Sequence, residues 1–179
     1  MDLTETVSIT ATGPLLDVLD RRLSEEPFWC RRLERVEQGS ARVHLAIFHE
    51  PFLSLLLAGR KTVESRFSVN RVAPFGAVSR EDLILLKRST GPIVGIALAG
   101  DPGFYELDPA SWATIRRRFA TAICAPDNAF WAARARARYA TLIPIKAALA
   151  LAPFPIVKRD RRGWVLLPPP LPCRERLRA

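Results

Sequence analysis

Lys61, Glu64 and Arg66 lie close together in Gly59-Arg60-Lys61-Thr62-Val63-Glu64-Ser65-Arg66-Phe67, directly after the apolar run Leu55-Leu56-Leu57-Ala58. If this stretch is a strand, alternate side chains share a face. Thr62, Glu64 and Arg66 then point one way, and Val63, Ser65 and Phe67 the other. Lys61, at the turn into the strand, has the reach to swing over the Glu64 face. A carboxylate there can accept a hydrogen bond from a base amino group, as Glu and Asp do with cytosine N4. Arg66 can fork onto that carboxylate or onto a phosphate. Lys61 can hold a carbonyl or phosphate oxygen, and if partly buried it is suited to general-base work. The bland alternative is a solvated strand face with a Glu–Arg pair worth ~0 to 1 kcal/mol.

Further candidates surround this group. His49 precedes Glu50-Pro51 at a helix start, where it can cap the helix or line a cleft mouth. Lys87 stands beside Arg88 at a strand end. Lys158-Arg159-Asp160-Arg161-Arg162 sets five charges just before Trp164, a mixture of charge and aromatic surface that suits single-stranded nucleic acid. Arg116-Arg117-Arg118, Arg134 and Arg138 read as solvated helix faces able to meet phosphates without sequence preference. Trp131 and Tyr139 can stack a base but fit a core as well.

The balance of 27 Lys and Arg against 18 Asp and Glu, net +9, favours anionic partners such as RNA or a nucleotide. No apolar run reaches the ~18 to 20 residues that span a bilayer, so no membrane partner is expected. The acidic start at Met1-Asp2 does not resemble a leader, and a cytoplasmic protein is expected. Three scattered cysteines and two histidines supply neither a disulfide framework nor a transition-metal site, and no cofactor is implied.

The elements that must position these residues follow from periodicity and punctuation. Residues 1–40 read as a helical extension, with Pro14 opening one helix and Ser24 capping a second that ends at Gly39. Their apolar face needs cover, either from the main domain or from a second copy in a homodimer. Residues 41–168 form the main domain. Val43 to Phe48 is a strand, and Pro51 and Gly59 bracket a short helix. Asp82 to Arg88 and Ile93 to Leu98 form a hairpin about Thr90-Gly91-Pro92. Asp108 and Asp127 cap two helices, and Tyr139 to Ile145 is a strand in which Pro144 marks an edge or a bulge. Gly163 to Leu167 closes the series, and residues 169–179 form a Pro-rich basic tail. Helices inserted among about five to six short strands indicate an α+β fold built on a small curled sheet or barrel.

The stretch "HEPFLSLLLAGRKTVESRF", followed by "DLILLKRSTGPIVGIALA", resembles the ASCH domain, a relative of the PUA fold. That family carries a short helix, then G-x-K-x-x-E-x-R on a strand. The match falls on Gly59, Lys61, Glu64 and Arg66, with Asp82 and Gly95 as weaker support, and it extends from about His44 to Leu167. The resemblance implies a PUA-like β-barrel with a cleft floored by Lys61, Glu64 and Arg66, and a nucleic acid or nucleotide as ligand. The family also includes some hydrolases, and if this chain is an enzyme a metal-independent hydrolase is expected. Small members resembling this fold hydrolyse N4-acetylated cytidine with a Lys, a Thr and a Glu. The Lys corresponds to Lys61, but the Thr position is occupied here by Glu64. Three readings stand: a nucleic-acid or nucleotide binder, a ribonuclease or amidohydrolase using Lys61 and Glu64, and an interaction module working through residues 1–40.

Overall fold

The computed structural model describes residues 7–8, 12–158 and 161–170 of the 179-residue chain. Its backbone runs β1 (Val7–Ser8), α1 (Thr12–Leu23), α2 (Pro27–Glu37), β2 (Val43–Phe48), α3 (Phe52–Leu57), β3 (Val63–Ser68), β4 (Leu83–Arg88) and β5 (Ile93–Ala99). There follow β6 (Gly103–Glu106), α4 (Pro109–Ile123), α5 (Asn128–Ala132), β7 (Tyr139–Phe154), β8 (Ile156–Val157) and β9 (Trp164–Leu166).

The main sheet has seven strands in the order β3-β7-β5-β4-β2-β9, with β6 also paired to β7. Only β2 and β4 run parallel within it. The first half of β7 lies between β3 and β6, and its second half pairs with β5. Register shifts opposite Leu98–Ala99 and Ile93–Gly95 bend this 16-residue strand, so the sheet curls into a half-barrel. This is the α+β architecture on a curled sheet expected from the sequence, with one strand more than anticipated. Pro144 sits inside β7 opposite Val63, beside a bulge and not at a sheet edge. The missing N–H does no harm there, and its carbonyl accepts from Gly100 N at 2.6 Å.

β2, β4 and β5 are buried on both faces, which is why they read as near-continuous apolar runs. On one face Val43, Leu45, Leu83, Leu85, Ile96 and Leu98 pack against Leu15, Leu19 and Leu23 of α1 and Trp29 and Leu33 of α2. Burying the five apolar side chains of α1 is worth on the order of 10 kcal/mol. That sum is comparable with the whole net stability of a domain. The first two helices therefore share one core with the sheet, which covers the apolar face that the sequence left open. The second helix starts differently from the expectation. Glu26 occupies the cap position with Pro27 behind it, while Ser24 Oγ merely donates to Arg21 O at 3.2 Å. A Pro first residue needs no capping partner for its absent N–H.

On the opposite face, Ala46, Phe48, Ile84, Leu86 and Ala97 receive Leu53 and Leu56 of α3. A Cβ on Gly95 would sit 2.8 Å from Leu57 Cδ2 and 2.9 Å from Leu149 O, so only glycine lets α3 lie this close to the sheet. A third cluster joins Ile115, Ile123 and Trp131 of α4 and α5 to Val63, Ala140 and Leu142. Asp108 and Ser111 form the reciprocal cap that starts α4. Asp127 takes the equivalent position before α5 but makes no side-chain cap bond. Among the described residues, no helix is long and apolar enough to cross a membrane.

Candidate functional site

Where the second and third clusters part, a cleft of about 390 Å³ opens between β3, the end of β2, α3 and the α4–α5 corner. Its floor is the charged group from which the sequence reading began. Gly59, at a φ of +70°, reverses the chain after α3 and delivers Lys61 to the start of β3. Lys61 and Glu64 are buried, with side chains only 2 % and 5 % exposed, and Lys61 Nζ stands 3.1 Å from Glu64 Oε2. The same Nζ donates to Val63 O at 2.6 Å. The other carboxylate oxygen accepts from Arg66 Nε at 2.6 Å.

Arg66 is fixed on several sides. It donates to Ile47 O at 2.9 Å and to Gly163 O at 3.3 Å. Its guanidinium lies 5.1 Å from the ring centres of both Phe48 and Trp164. Burial pushes the Glu64 carboxyl up, but the charges of Lys61 and Arg66 outweigh it and hold the group below the usual carboxylate range. Glu64 is thus a carboxylate held between two basic side chains inside the protein. Lys61 has one N–H beyond its two bonds, and Glu64 has lone pairs to spare, so both can still engage a ligand.

The walls are aromatic. Phe52, Phe67 and Phe130 line the cleft, and Phe130 meets Phe52 and Phe67 edge-on at 5.8 and 6.2 Å. Trp131 beneath them is core, its indole donating to Ala125 O at 2.9 Å. Arg134, just past α5, also lines the cleft. Its guanidinium lies 3.6 Å from the centre of the Phe130 ring. Burial lowers its pKa, and the nearby Glu64 charge offsets part of that effect.

Of the residues singled out from sequence, Lys61, Glu64, Arg66, His49 and Arg134 come together at this cleft, Arg134 half-buried past the end of α5 and not on a solvated helix face. Thr62 does not share the Glu64 face: it precedes β3, is exposed, and bonds through its backbone to Ala122 O. Trp164 is not a stacking platform. It is 2 % exposed, and its indole N–H donates to His44 Nδ1 at 3.0 Å. Lys87 donates to Gly91 O at 2.5 Å in the hairpin turn, away from the cleft, and burial with the neighbouring Lys158 lowers its pKa. Lys158 Nζ closes its own turn on Arg162 O at 2.7 Å, and Arg161 and Arg162 are exposed. Arg159 lies outside the described residues, as do Arg174, Arg176 and Arg178 of the tail.

Asp82 and Gly95, weaker parts of the motif, are structural. Asp82 accepts from Arg42 N at 2.9 Å and Ser79 N at 2.7 Å, and lies 3.1 Å from His44 Nε2. Because Nδ1 of His44 accepts from Trp164, Nε2 carries the proton donated to Asp82. Burial raises the Asp82 carboxyl, yet these bonds prevail and leave it lowered.

No family model and no curated protein sequence matches the chain. Solved structures do. An ASCH protein from Zymomonas mobilis superposes with a TM-score of 0.57 at 12% identity, covering 71% of this chain and 88% of that one. Two point variants of the Zymomonas mobilis protein match equally. The tyrosine-to-phenylalanine form gives 0.56 and the serine-to-alanine form 0.57, each at 12% identity and 71% of this chain, with 91% and 89% of theirs covered. The chain is therefore built on the ASCH-type, PUA-like fold.

Proposed function

We propose that the cleft binds RNA or a nucleotide, with the base entering over Lys61 and Glu64 between the aromatic walls. The observation that carries this reading is the buried charge group at the floor. Taking a Lys and a Glu out of water costs several kcal/mol each, and such a pair adds little stability over an apolar one. Its presence at the bottom of an open cleft is explained by a ligand that uses it. Glu64 supplies an acceptor for an exocyclic amino group, Lys61 a donor for a ring carbonyl, and Phe52 and Phe67 apolar faces for the ring. The volume is at the small end for ligand clefts, roughly 300 to 1,000 Å³, and suits one base unit.

The hydrolase reading has less to draw on. Lys61 Nζ is engaged by Val63 O and Glu64, Thr62 lies outside the cleft, and Ser65 is the one hydroxyl among the lining residues. The test is filter binding of a single-stranded RNA oligomer at 50 and 200 mM salt. Each phosphate contacted lowers the affinity roughly 2- to 3-fold across that range. Lys61→Ala and Glu64→Ala each weaken it further. Absent or salt-indifferent binding refutes the RNA reading and leaves the nucleotide reading to titration with mononucleotides, and binding untouched by both substitutions refutes the site.

A further inference from the structure

We infer that Arg134 is the phosphate contact of this cleft, so that its ligand is a nucleotide unit carrying phosphate and not a free nucleoside. The inference rests on the base-binding reading above and specifies the ligand class. It begins with what Arg134 lacks. Among the described residues it has no carboxylate partner, and its one hydrogen bond runs from Nη1 to Phe130 O, at 2.8 Å, within its own turn. Nε and Nη2 are left unengaged. Together they form the side-on edge of the guanidinium, whose two parallel N–H groups match two oxygens of a phosphate.

The edge is also held in place. Stacking on Phe130 at 3.6 Å fixes the plane of the guanidinium, and Phe130 is itself packed against Phe52, Phe67 and Trp131. A cation on a flexible stem would lose that freedom on binding, whereas Arg134 has already given it up. Glu64, the one carboxylate lining the cleft, makes its direct contacts with Lys61 and Arg66, and its charge compensates Arg134 only in part. Three cations and one anion leave the cleft net positive. The excess lies at the wall, apart from the floor that receives the base, and it calls for a negative group there. His49, exposed at the same mouth, adds a ring N–H donor.

Calorimetric titration of the full chain with the four ribonucleosides and their 5′-monophosphates tests this. At least one monophosphate is expected to bind about 10- to 100-fold more tightly than its nucleoside, the factor that one forked charge-assisted contact supplies. In Arg134→Gln that ratio falls to within about twofold of unity, and in Arg134→Lys, which keeps the charge without the fork, it is intermediate. Thermal melting checks that both variants fold; if Arg134→Gln does not, the wild-type ratio and Arg134→Lys decide. A wild-type ratio near one, or a ratio that survives Arg134→Gln, overturns the assignment while leaving base binding intact. Binding of neither series, in a chain that also fails to bind RNA, overturns the base-binding reading and this inference with it.

Discussion

A double-mutant cycle at Lys61 and Glu64 separates a ligand site from a structural ion pair. At 3.1 Å the pair's attraction is about 5 kcal/mol at an effective dielectric of about 20. Both groups are almost fully buried, and each ion gives up several kcal/mol of hydration, so the pair as a whole comes out near neutral. Breaking it from one side is different. Glu64→Gln leaves the Lys61 ammonium buried without an anion and takes the charge from opposite Arg66, at an expected cost of about 3 to 5 kcal/mol. Lys61→Met leaves Glu64 its Arg66 partner at 2.6 Å, and costs about 1 to 2 kcal/mol. In the double variant no buried ammonium remains, and an amide oxygen replaces the carboxylate oxygen facing Arg66, which is part-exposed and reaches water. Its cost is expected to fall back to about 1 to 2 kcal/mol, a coupling energy of about 4 kcal/mol.

Urea denaturation of the four proteins measures the cycle, and RNA or nucleotide titration of the same samples measures function. Stability recovered in the double variant with binding still lost is the expected pattern. Additive losses would refute the near-neutral ion pair, and binding that recovers along with stability would show that the charges serve the fold alone.

Other consequences follow from the same contacts. A carboxyl lowered in the folded state stabilises the fold above its unfolded pKa, and that contribution is lost as pH falls through the folded value. Stability should therefore decline below about pH 4 as Asp82 and Glu64 take up protons. Asp82→Asn should be less stable at pH 7 by about 1.5 to 3 kcal/mol, with a flatter acid profile in urea titrations at several pH values. Gly95→Ala forces a Cβ against Leu57 and the Leu149 carbonyl, and is expected to cost about 1 to 3 kcal/mol in denaturation while shifting α3 and weakening binding through Phe52. Trp164→Phe removes the donor to His44 Nδ1 and should cost about 1 to 3 kcal/mol, with binding affected less than stability.

What can be read in advance is whatever local pattern decides. The strands β2, β4 and β5 are apolar runs bounded by turn residues, and the Asp108–Ser111 cap is written in adjacent letters. The second half of β7, Lys146–Phe154, is rich in alanine and follows a proline. Neither favours a strand locally, and its pairing with β5 overrides both. β6 is four residues with a break before the next helix, too short for a period to show. Trp164 reads as exposed because five charged residues lie just before it in sequence. Its actual neighbour, His44, is 120 positions away, and no spacing rule reports that. Arg134 is hidden differently: in Ala-Arg-Ala-Arg-Ala-Arg every arginine looks alike, and only the fold turns this one onto Phe130.

The motif divides by what touches each residue, and the division shows how the fold holds its site. Gly59 turns the chain, Gly95 admits α3, and Asp82 ties Arg42, Ser79 and His44 together behind the sheet. Lys61, Glu64 and Arg66 face the cleft. The two halves meet at Trp164, whose indole is held by His44 on one side and lies against Arg66 on the other. Arg66 in turn orients Glu64, and Glu64 holds Lys61. A contact chain thus runs from Asp82 to the cleft floor through partners that each have one well-defined arrangement. Rigid support of this kind, with Lys61 and Arg66 anchored on the carbonyls of Val63, Ile47 and Gly163, holds the buried charge group in one arrangement, as the proposed ligand site requires.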